Sequence, residues 1–213
     1  MIKLNKDRLL VVAVFFIAAL IFTSLMLFVP QQERLASMDL KAHPLLGKGD
    51  APVHMVIFED IQCPGCRVFN ERIFPHLKSQ YIDTGKMKLT LIPLSLFEGS
   101  DLAYQAILDV YHHNPENFFS YFDRVVQSMK TEPISKDLLI NSAKEIEEID
   151  FSFFEGDKKA LATVLDKNRK DAQRVMGEIE TPAIFINGKM VKNISLSSLF
   201  YQIEERLEGK THD

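Results

Sequence analysis

Cys63 and Cys66 are the two cysteines of the chain, and two residues separate them. The Cys63-Pro64-Gly65-Cys66 motif lies between a short β-branched, apolar run and a segment with helical periodicity, which predicts a strand-to-helix junction. The unpaired N–H groups at a helix N-terminus favour a thiolate at Cys63. Cys66, one turn further on, can then attack a mixed disulfide formed at Cys63. The pattern therefore indicates thiol–disulfide exchange, with Cys63 as nucleophile and Cys66 as resolving thiol.

Three other uses of the two thiols remain open from the residues alone. A zinc site would need two more ligands, and none of the 6 histidines falls in a zinc-finger spacing. A structural disulfide across two residues would close too small a loop to stabilise much by chain entropy. Two buried thiols could also pack as small apolar side chains. The place of the motif between a strand and a helix favours redox chemistry, for which no metal or other cofactor is expected.

The elements around the motif follow an α/β pattern. Strands are predicted at 53–58, 88–92 and 183–186, the last followed by an Asn187-Gly188 hairpin turn. Apolar residues recur at helical spacing in the segments 64–81, 157–176 and 196–207, and through several helices in between. The order predicts an α/β fold with a helical insertion at about 98–155.

Prolines are predicted to mark helix boundaries. Pro75 lies inside the 64–81 helix and should kink it. Asn114-Pro115 should end one helix of the insertion and begin the next, with Asn114 as N-cap and Pro115 as the first helical residue. Pro133 should end that helix, and Ser135 can cap the one that follows.

A long uncharged segment precedes these elements. Leu9 to Val29 is a run of 21 residues without charge, and about 20 apolar residues can span a bilayer as a helix. Basic residues precede the run, whereas Glu33 and Arg34 cancel after it, so the positive-inside rule places everything after Pro30 outside the cytoplasm. The run is longer than the apolar region of a secretory signal, and no small-x-small cleavage site follows it. We predict an uncleaved transmembrane helix at residues 9–29, with a cleaved signal peptide as the alternative.

Composition excludes several other classes of protein. The chain has 213 residues, of which 46% are hydrophobic, 25% charged and 16 are Phe, so disorder is not its main state. A net charge of −4 without a basic stripe argues against a nucleic-acid partner. We divide the chain into a signal-anchor at 1–30, a tether at 31–50 and a folded domain at 51–208.

Two stretches resemble the DsbA-like branch of the thioredoxin-fold thiol–disulfide oxidoreductases. They are residues 44–66, which end in the Cys63–Cys66 motif, and residues 181–189, which begin with Thr181-Pro182. From the residues alone, Pro182 could equally open an edge strand with an ordinary trans bond. The resemblance covers about residues 44–208 and implies a thioredoxin fold, a reactive Cys63–Cys66 disulfide, a cis bond before Pro182, and binding of substrate backbone at Thr181-Pro182. It also implies secreted or envelope proteins as substrates and a redox partner in the membrane.

The sequence departs from this family at two places. Many members have an acidic residue six positions before the first cysteine, where it helps to move protons, and this chain has Ile57 there. Glu59 has the same strand parity and is the expected substitute. Pro64-Gly65 lacks the histidine of the strongly oxidising members, so fewer groups stabilise the Cys63 thiolate and the protein should be a weaker oxidant.

The function predicted from the sequence is an extracytoplasmic, membrane-anchored thiol–disulfide oxidoreductase that acts as an oxidase. Three alternatives remain: a reductase of the same fold, delivery of a metal ion by the two thiols, and a non-enzymatic module that holds apolar peptides. The last would use Phe118, Phe119 and Phe122, whose helical spacing instead predicts a place in the core.

Overall fold

The computed structural model describes residues 6–27, 31–144, 146 and 158–209. Helix α1 (Lys6–Leu27) contains most of the predicted membrane segment, whose last two residues, 28 and 29, lie outside the described part. Two other predicted boundaries also lie outside the described part of the chain. They are the end of the insertion and residue 157, where the following helix is predicted to begin. Within the described part of the chain, no helix is both long enough and apolar enough to cross a membrane.

The described strands form one mixed sheet in the order β1-β3-β2-β4-β5. Their bounds are β1 (Leu45–Leu46), β2 (Val53–Glu59), β3 (Met87–Pro93), β4 (Ala183–Ile186) and β5 (Lys189–Met190). β2 runs parallel to β3 and antiparallel to β4, and β1 and β5 pair antiparallel at the two edges. This is the α/β arrangement that the residue pattern predicts, and the thioredoxin fold that the resemblance implies.

Helices cover both faces of the sheet, which is why the central strands are apolar on both sides. The described helices after α1 are α2 (Gln31–Ala36), α3 (Pro64–Arg72), α4 (Phe74–Leu77), α5 (Ser100–His113), α6 (Phe118–Ser128), α7 (Lys136–Lys144), α8 (Lys158–Met176) and α9 (Leu196–Leu207). Val56 and Phe58 of β2 face α2 and the end of α8. Met55 and Ile57 face the core built with the helices α3 to α7 and α9.

The helix after the active-site motif is interrupted at Ile73, two residues before its proline. The 64–81 segment forms α3, α4 and a π-helical turn at Lys78–Ile82, and α3 and α4 meet at Ile73. Pro75 then lies in the first turn of α4, where its missing N–H breaks no intrahelical bond. The proline therefore begins a new helix rather than kinking a continuous one.

The second helix of the insertion, α6, begins later in the sequence than predicted. α5 ends at His113, before Asn114-Pro115, but α6 begins at Phe118 and not at Pro115. The Asn114 side chain accepts a hydrogen bond from the Asn117 backbone N–H at 3.3 Å, so a turn separates the two helices. The cap at Ser135 is present, since its hydroxyl accepts from the Leu138 N–H at 3.1 Å.

Residues 31–50, predicted as a tether, are instead packed on the folded domain. Leu35 and Met38 are 3% and 7% exposed and join the apolar cluster under α8. Further on, Leu45 pairs with Thr90 and adds β1 to the edge of the sheet. The segment is not a tether because its apolar residues pack against residues that are far away in the sequence.

The predicted hairpin after β4 is present. Asn187 and Gly188 have φ angles of 47° and 84°, the left-handed conformations that a tight two-residue turn requires. α8 ends at Met176, the predicted end of its segment, and Gly177 follows it with a φ of 84°.

Candidate active site

Cys63 caps the N-terminus of α3, and Pro64 is the first helical residue. Both cysteines are free thiols in this structure, 7% exposed for Cys63 and 0% for Cys66. The Cys63 thiol donates a hydrogen bond to the backbone carbonyl of Thr181, with 3.2 Å between Sγ and O. The outer sulfur therefore lies against the loop before β4, and the inner one lies beneath it.

The loop before β4 approaches the motif closely because the third motif residue is glycine. The Thr181–Pro182 peptide bond is cis, as the resemblance implies. A Cβ atom at Gly65 would lie 3.1 Å from Pro182 Cδ and 3.8 Å from Cys63 Sγ. The absence of a side chain at Gly65 thus lets the Thr181-Pro182 segment pack directly on the motif.

Cys66 lies in surroundings that favour its protonated form. Burial raises the pKa of the Cys66 thiol well above its ordinary value, and the nearby carboxylate charge of Glu59 raises it further. A backbone hydrogen bond from Asp60 opposes these effects only in part. A thiolate released at Cys66 would therefore take up a proton readily.

Glu59 is a buried carboxyl group at the end of β2, 1% exposed. Its Oε2 accepts a hydrogen bond from Asn70 Nδ2 at 3.2 Å, whereas Oε1 has no hydrogen-bond partner among the described residues. Burial raises the pKa of Glu59 to about 8, with the Asn70 hydrogen bond opposing it and the Asp60 charge adding to it. Glu59 is thus mainly protonated at neutral pH. Ile57, at the position where the family often has an acid, is 1% exposed within the apolar core.

Asp60 is a site residue that the sequence reasoning did not identify. Its carboxylate is fully buried and accepts from the backbone N–H groups of Gln62 at 2.8 Å, Leu96 at 2.5 Å and Phe97 at 3.1 Å. The Ser100 hydroxyl donates a fourth hydrogen bond at 2.5 Å. Asp60 therefore joins the active-site loop to the loop between β3 and α5. The signal in the sequence is local: an Asp that bonds the N–H two residues on forms an Asx turn.

Two further polar residues that the sequence reasoning missed hold the acid in place. Asn70, on α3, is 6% exposed and is the hydrogen-bond donor to the Glu59 carboxyl group. Tyr104, on α5, is fully buried and donates its hydroxyl to the backbone carbonyl of Glu59 at 3.2 Å. Both side chains come from helices that pack on the same face of the sheet as Glu59.

The structure brings most of the sequence-predicted site residues together. The charge of Glu59 acts on Cys66, whereas the backbone carbonyl of Thr181 accepts a hydrogen bond from Cys63. Of the phenylalanines proposed for peptide binding, Phe118 and Phe122 are 1% and 4% exposed in the core, and Phe119 is half-buried and packs against it. They stabilise the insertion and offer little apolar surface to a peptide.

Known proteins share this fold and part of this sequence. A family model described as thioredoxin matches residues 39–205. The chain is 32% identical to disulfide bond formation protein D of Bacillus subtilis over 178 residues, which is 80% of each chain. The crystal structure of oxidised BdbD from Bacillus subtilis matches with a TM-score of 0.69 and 32% identity, over 80% of this chain and 96% of that one. The DsbA structure from Chlamydia trachomatis gives a TM-score of 0.61 and 26% identity, over 80% and 94% of the two chains.

Proposed function

Because this chain belongs to the thioredoxin family and is a protein thiol–disulfide oxidoreductase, we propose that Cys63 and Cys66 form its redox centre and oxidise thiols of exported proteins. The observation that carries the proposal is the unequal placement of the two sulfurs. Cys63 lies at a helix start and contacts the Thr181 carbonyl, while Cys66 is completely buried. A substrate can reach the first sulfur, whereas the second can act only from inside.

In the proposed reaction, a substrate thiolate attacks Cys63 of the Cys63–Cys66 disulfide. The S–S bond breaks, Cys66 leaves as a thiolate, and a mixed disulfide forms between the substrate and Cys63. A second substrate thiolate then attacks the substrate sulfur of this bond and releases the Cys63 thiolate. Two electrons pass from the substrate to the cysteine pair, and the two substrate thiols lose two protons. Thr181 and Pro182 are proposed to bind the substrate backbone beside Cys63.

Glu59 is proposed to supply the proton that Cys66 needs when it leaves. Its carboxyl group is mainly protonated at neutral pH, and its charge, when ionised, raises the pKa of the Cys66 thiol. Proton transfer from Glu59 to the Cys66 thiolate moves one buried negative charge from the sulfur to the carboxylate, and it is favourable because the pKa of the Cys66 thiol is raised above that of Glu59. During reoxidation the proton returns along the same path.

The direction proposed is oxidation, in agreement with the name of the Bacillus subtilis relative, disulfide bond formation protein D. The helix N-terminus at Cys63 stabilises the reduced form and raises the reduction potential, whereas Pro64-Gly65 contributes no charged donor. We expect a potential between about −270 mV and about −120 mV, the values of thioredoxin and DsbA. Equilibration of the pair with glutathione measures it, and a value below about −270 mV would establish a reductase instead.

A trapping experiment tests the assignment of the two cysteines. Cys66→Ser should accumulate mixed disulfides with reduced substrate proteins, because nothing remains to resolve the bond at Cys63. Cys63→Ser is the matched control and should trap none. Equal trapping by both variants would contradict the division of roles.

The proposed location is outside the cytoplasm, with helix α1 as an uncleaved membrane anchor. The support is the uncharged run from Leu9 to Val29 and the exposure of the large apolar side chains of α1. These side chains are 52–72% exposed: Leu10, Val11, Val12, Val14, Phe15, Phe16, Ile17, Leu20, Ile21 and Phe22. Secreted or envelope proteins are the proposed substrates, and a membrane redox protein is the proposed acceptor of the electrons.

Cell fractionation tests the anchor. We expect the full chain in the membrane fraction after a high-salt wash, and a reporter fused after Asp213 should be active only outside the cytoplasm. Recovery of a soluble chain that begins near Ser37 would show that the N-terminal segment is a cleaved signal peptide.

A further inference from the structure

A cavity of about 460 Å³ lies at the end of the sheet opposite to the cysteines. His54, at the second position of β2, and Thr90 of β3 form part of its wall, and a hydrogen bond of 2.8 Å joins His54 Nε2 and Thr90 Oγ1. Leu40 and Tyr111 provide apolar surface. Its volume suits a small ligand or a headgroup.

The charged groups of this cavity are all positive. Lys41 and Lys88 line it, and among the described residues that form its wall none is acidic. Lys88 donates to the backbone carbonyl of Gly49, which leaves its charge uncompensated, and no described carboxylate forms an ion pair with either lysine. Burial lowers the pKa of His54, and the positive charge of Lys88 lowers it further. The positive charge of its wall therefore favours the binding of an anion.

The surface beside the cavity carries further positive charge. Lys48 and Lys86 are exposed on the loops that precede β2 and β3, opposed on those loops by Asp50 and Asp83. Asp83 already pairs with Lys78 at 2.7 Å. Of the described carboxylates on these two loops, Asp50 is therefore the one without an ion pair, while on the His43 side of the cavity Asp39 and Asp171 add negative charge and Lys167 adds positive charge.

The chain connects this end of the sheet to the proposed anchor. Four peptide units join Leu27, the last residue of α1, to Gln31, the first of α2, and they reach at most about 15 Å. The side chain of Gln32 lies against Gly188 of the β4–β5 turn, since a Cβ there would be 2.8 Å from Gln32 Cγ. Asn187, in the same turn, exchanges hydrogen bonds of 2.7 and 2.9 Å with His54. If α1 spans the bilayer, the lipid surface must lie close to this cavity.

We propose that the cavity between Lys41, Lys88 and His54 binds the phosphate of an anionic phospholipid headgroup in the membrane that anchors the chain. Phosphate oxygens accept from the two ammonium groups, and Leu40 and Tyr111 contact the less polar part of the headgroup. A lipid is the favoured source of the phosphate because the segment between α1 and α2 is short, which keeps the cavity close to the bilayer. This interpretation rests on the proposed anchor.

The bound lipid would orient the catalytic face away from the membrane. The cavity lies at the first residues of β2, whereas Cys63 follows its last residue, Glu59. Seven residues of strand separate the two ends by about 20 Å. The cysteine pair would then face the extracytoplasmic space, where exported proteins arrive.

Hydrogen exchange of the full chain, reconstituted into lipid vesicles, tests the site. Backbone amides of residues 40–49 and 86–90 should exchange more slowly in vesicles that contain phosphatidylglycerol than in vesicles of phosphatidylcholine alone. We expect the protection to fall about fivefold for each lysine removed, and to weaken at high ionic strength. The variant Lys41→Ala/Lys88→Ala should therefore reduce the protection about 25-fold, and Lys41→Glu/Lys88→Glu should abolish it.

Lys136→Glu/Lys144→Glu is the matched control, since it makes the same change of charge on α7. Protection that persists in Lys41→Glu/Lys88→Glu, or disappears equally in the control, would overturn the proposal. Equal protection by soluble glycerol phosphate without vesicles would overturn the lipid as source. Flotation with phosphatidylcholine vesicles reports on the anchor separately. If the chain does not float with them, the anchor is wrong, and protection on addition of phosphatidylglycerol vesicles still decides the cavity.

Discussion

Wild type should lose stability as the pH rises because of its buried Glu59. The variant Glu59→Gln should not show this loss. Burial raises the pKa of Glu59 to about 8 in the folded chain, against 4.5 for an exposed Glu. Between these two values the folded chain keeps a proton that the unfolded chain has released. The free energy of unfolding therefore falls as the pH rises from about 4.5 to about 8, and the stabilisation is fully present only below this window.

The size of the effect follows from the same two values. One pKa unit corresponds to about 1.4 kcal/mol, so the slope is about −1.4 kcal/mol per pH unit within the window. At pH 7, about 2.5 units above the lower value, the accumulated loss is about 3 kcal/mol. Glutamine has no proton to lose, so this slope should vanish in Glu59→Gln. Its amide leaves a buried polar group with few partners and costs about 1–3 kcal/mol at every pH, which is why the slope decides and the absolute stability does not.

Urea denaturation of the reduced full chain in a non-ionic detergent, at pH values from 5 to 8, measures both quantities. The informative number is the difference in unfolding free energy between Glu59→Gln and wild type at each pH, because histidine titration cancels in it. Glu98→Gln is the control, since Glu98 is an exposed Glu whose carboxyl group bonds nothing in the site. A difference that stays constant with pH would show that Glu59 has an ordinary pKa, and the proposed proton transfer would lose its basis.

Three further changes test other parts of the structure. Gly65→Ala should slow the oxidation of a reduced peptide several-fold in single turnover, because its Cβ would press on Pro182 Cδ, whereas Gly49→Ala should have no effect since nothing lies within 4 Å of it. Ser100→Ala should lower the free energy of unfolding by about 1.5–3 kcal/mol in urea denaturation, as expected for a lost hydrogen bond to a buried carboxylate, and an unchanged value would contradict the role given to Asp60. Burial lowers the pKa of His43 to about 4, so wild type should lose stability as the pH falls from about 6.5 to about 4, and His43→Gln should lose less over that range.

The parts of the fold that local patterns determine could be predicted from the sequence. The final helix, Leu196–Leu207, and the strand Ala183–Ile186 have the predicted bounds, because turn residues and apolar periodicity delimit them. Asn187-Gly188 forms the expected turn, since both residues tolerate positive φ. The cysteine motif lies at the predicted strand-to-helix junction for the same local reasons.

The parts that depend on distant partners could not be predicted. Residues 31–50 contain Pro and Gly and suggest a tether, but Leu35 is buried against α8, which lies more than a hundred residues further along the chain. Asp60 accepts hydrogen bonds from the Leu96 N–H and the Ser100 hydroxyl, 36 and 40 residues away, and no local pattern indicates these distant partners. Such contacts appear only when the sheet has brought its loops together.

Many family members have an acid at the position of Ile57, whereas this chain has Glu59. The geometry of a strand explains how an acid at position 59 can lie on the same face. Side chains two residues apart point to the same face, so Glu59 reaches the same side of β2 as Ile57 but lies closer to the motif. There Asn70, on α3, gives the carboxyl group a hydrogen bond, and Tyr104 bonds the carbonyl of the same residue. At position 57 a carboxyl group would instead lie among the apolar residues that now surround Ile57. The proposed proton donor for Cys66 therefore needs the correct face of the strand and a polar neighbour on α3, and in this chain Glu59 has both.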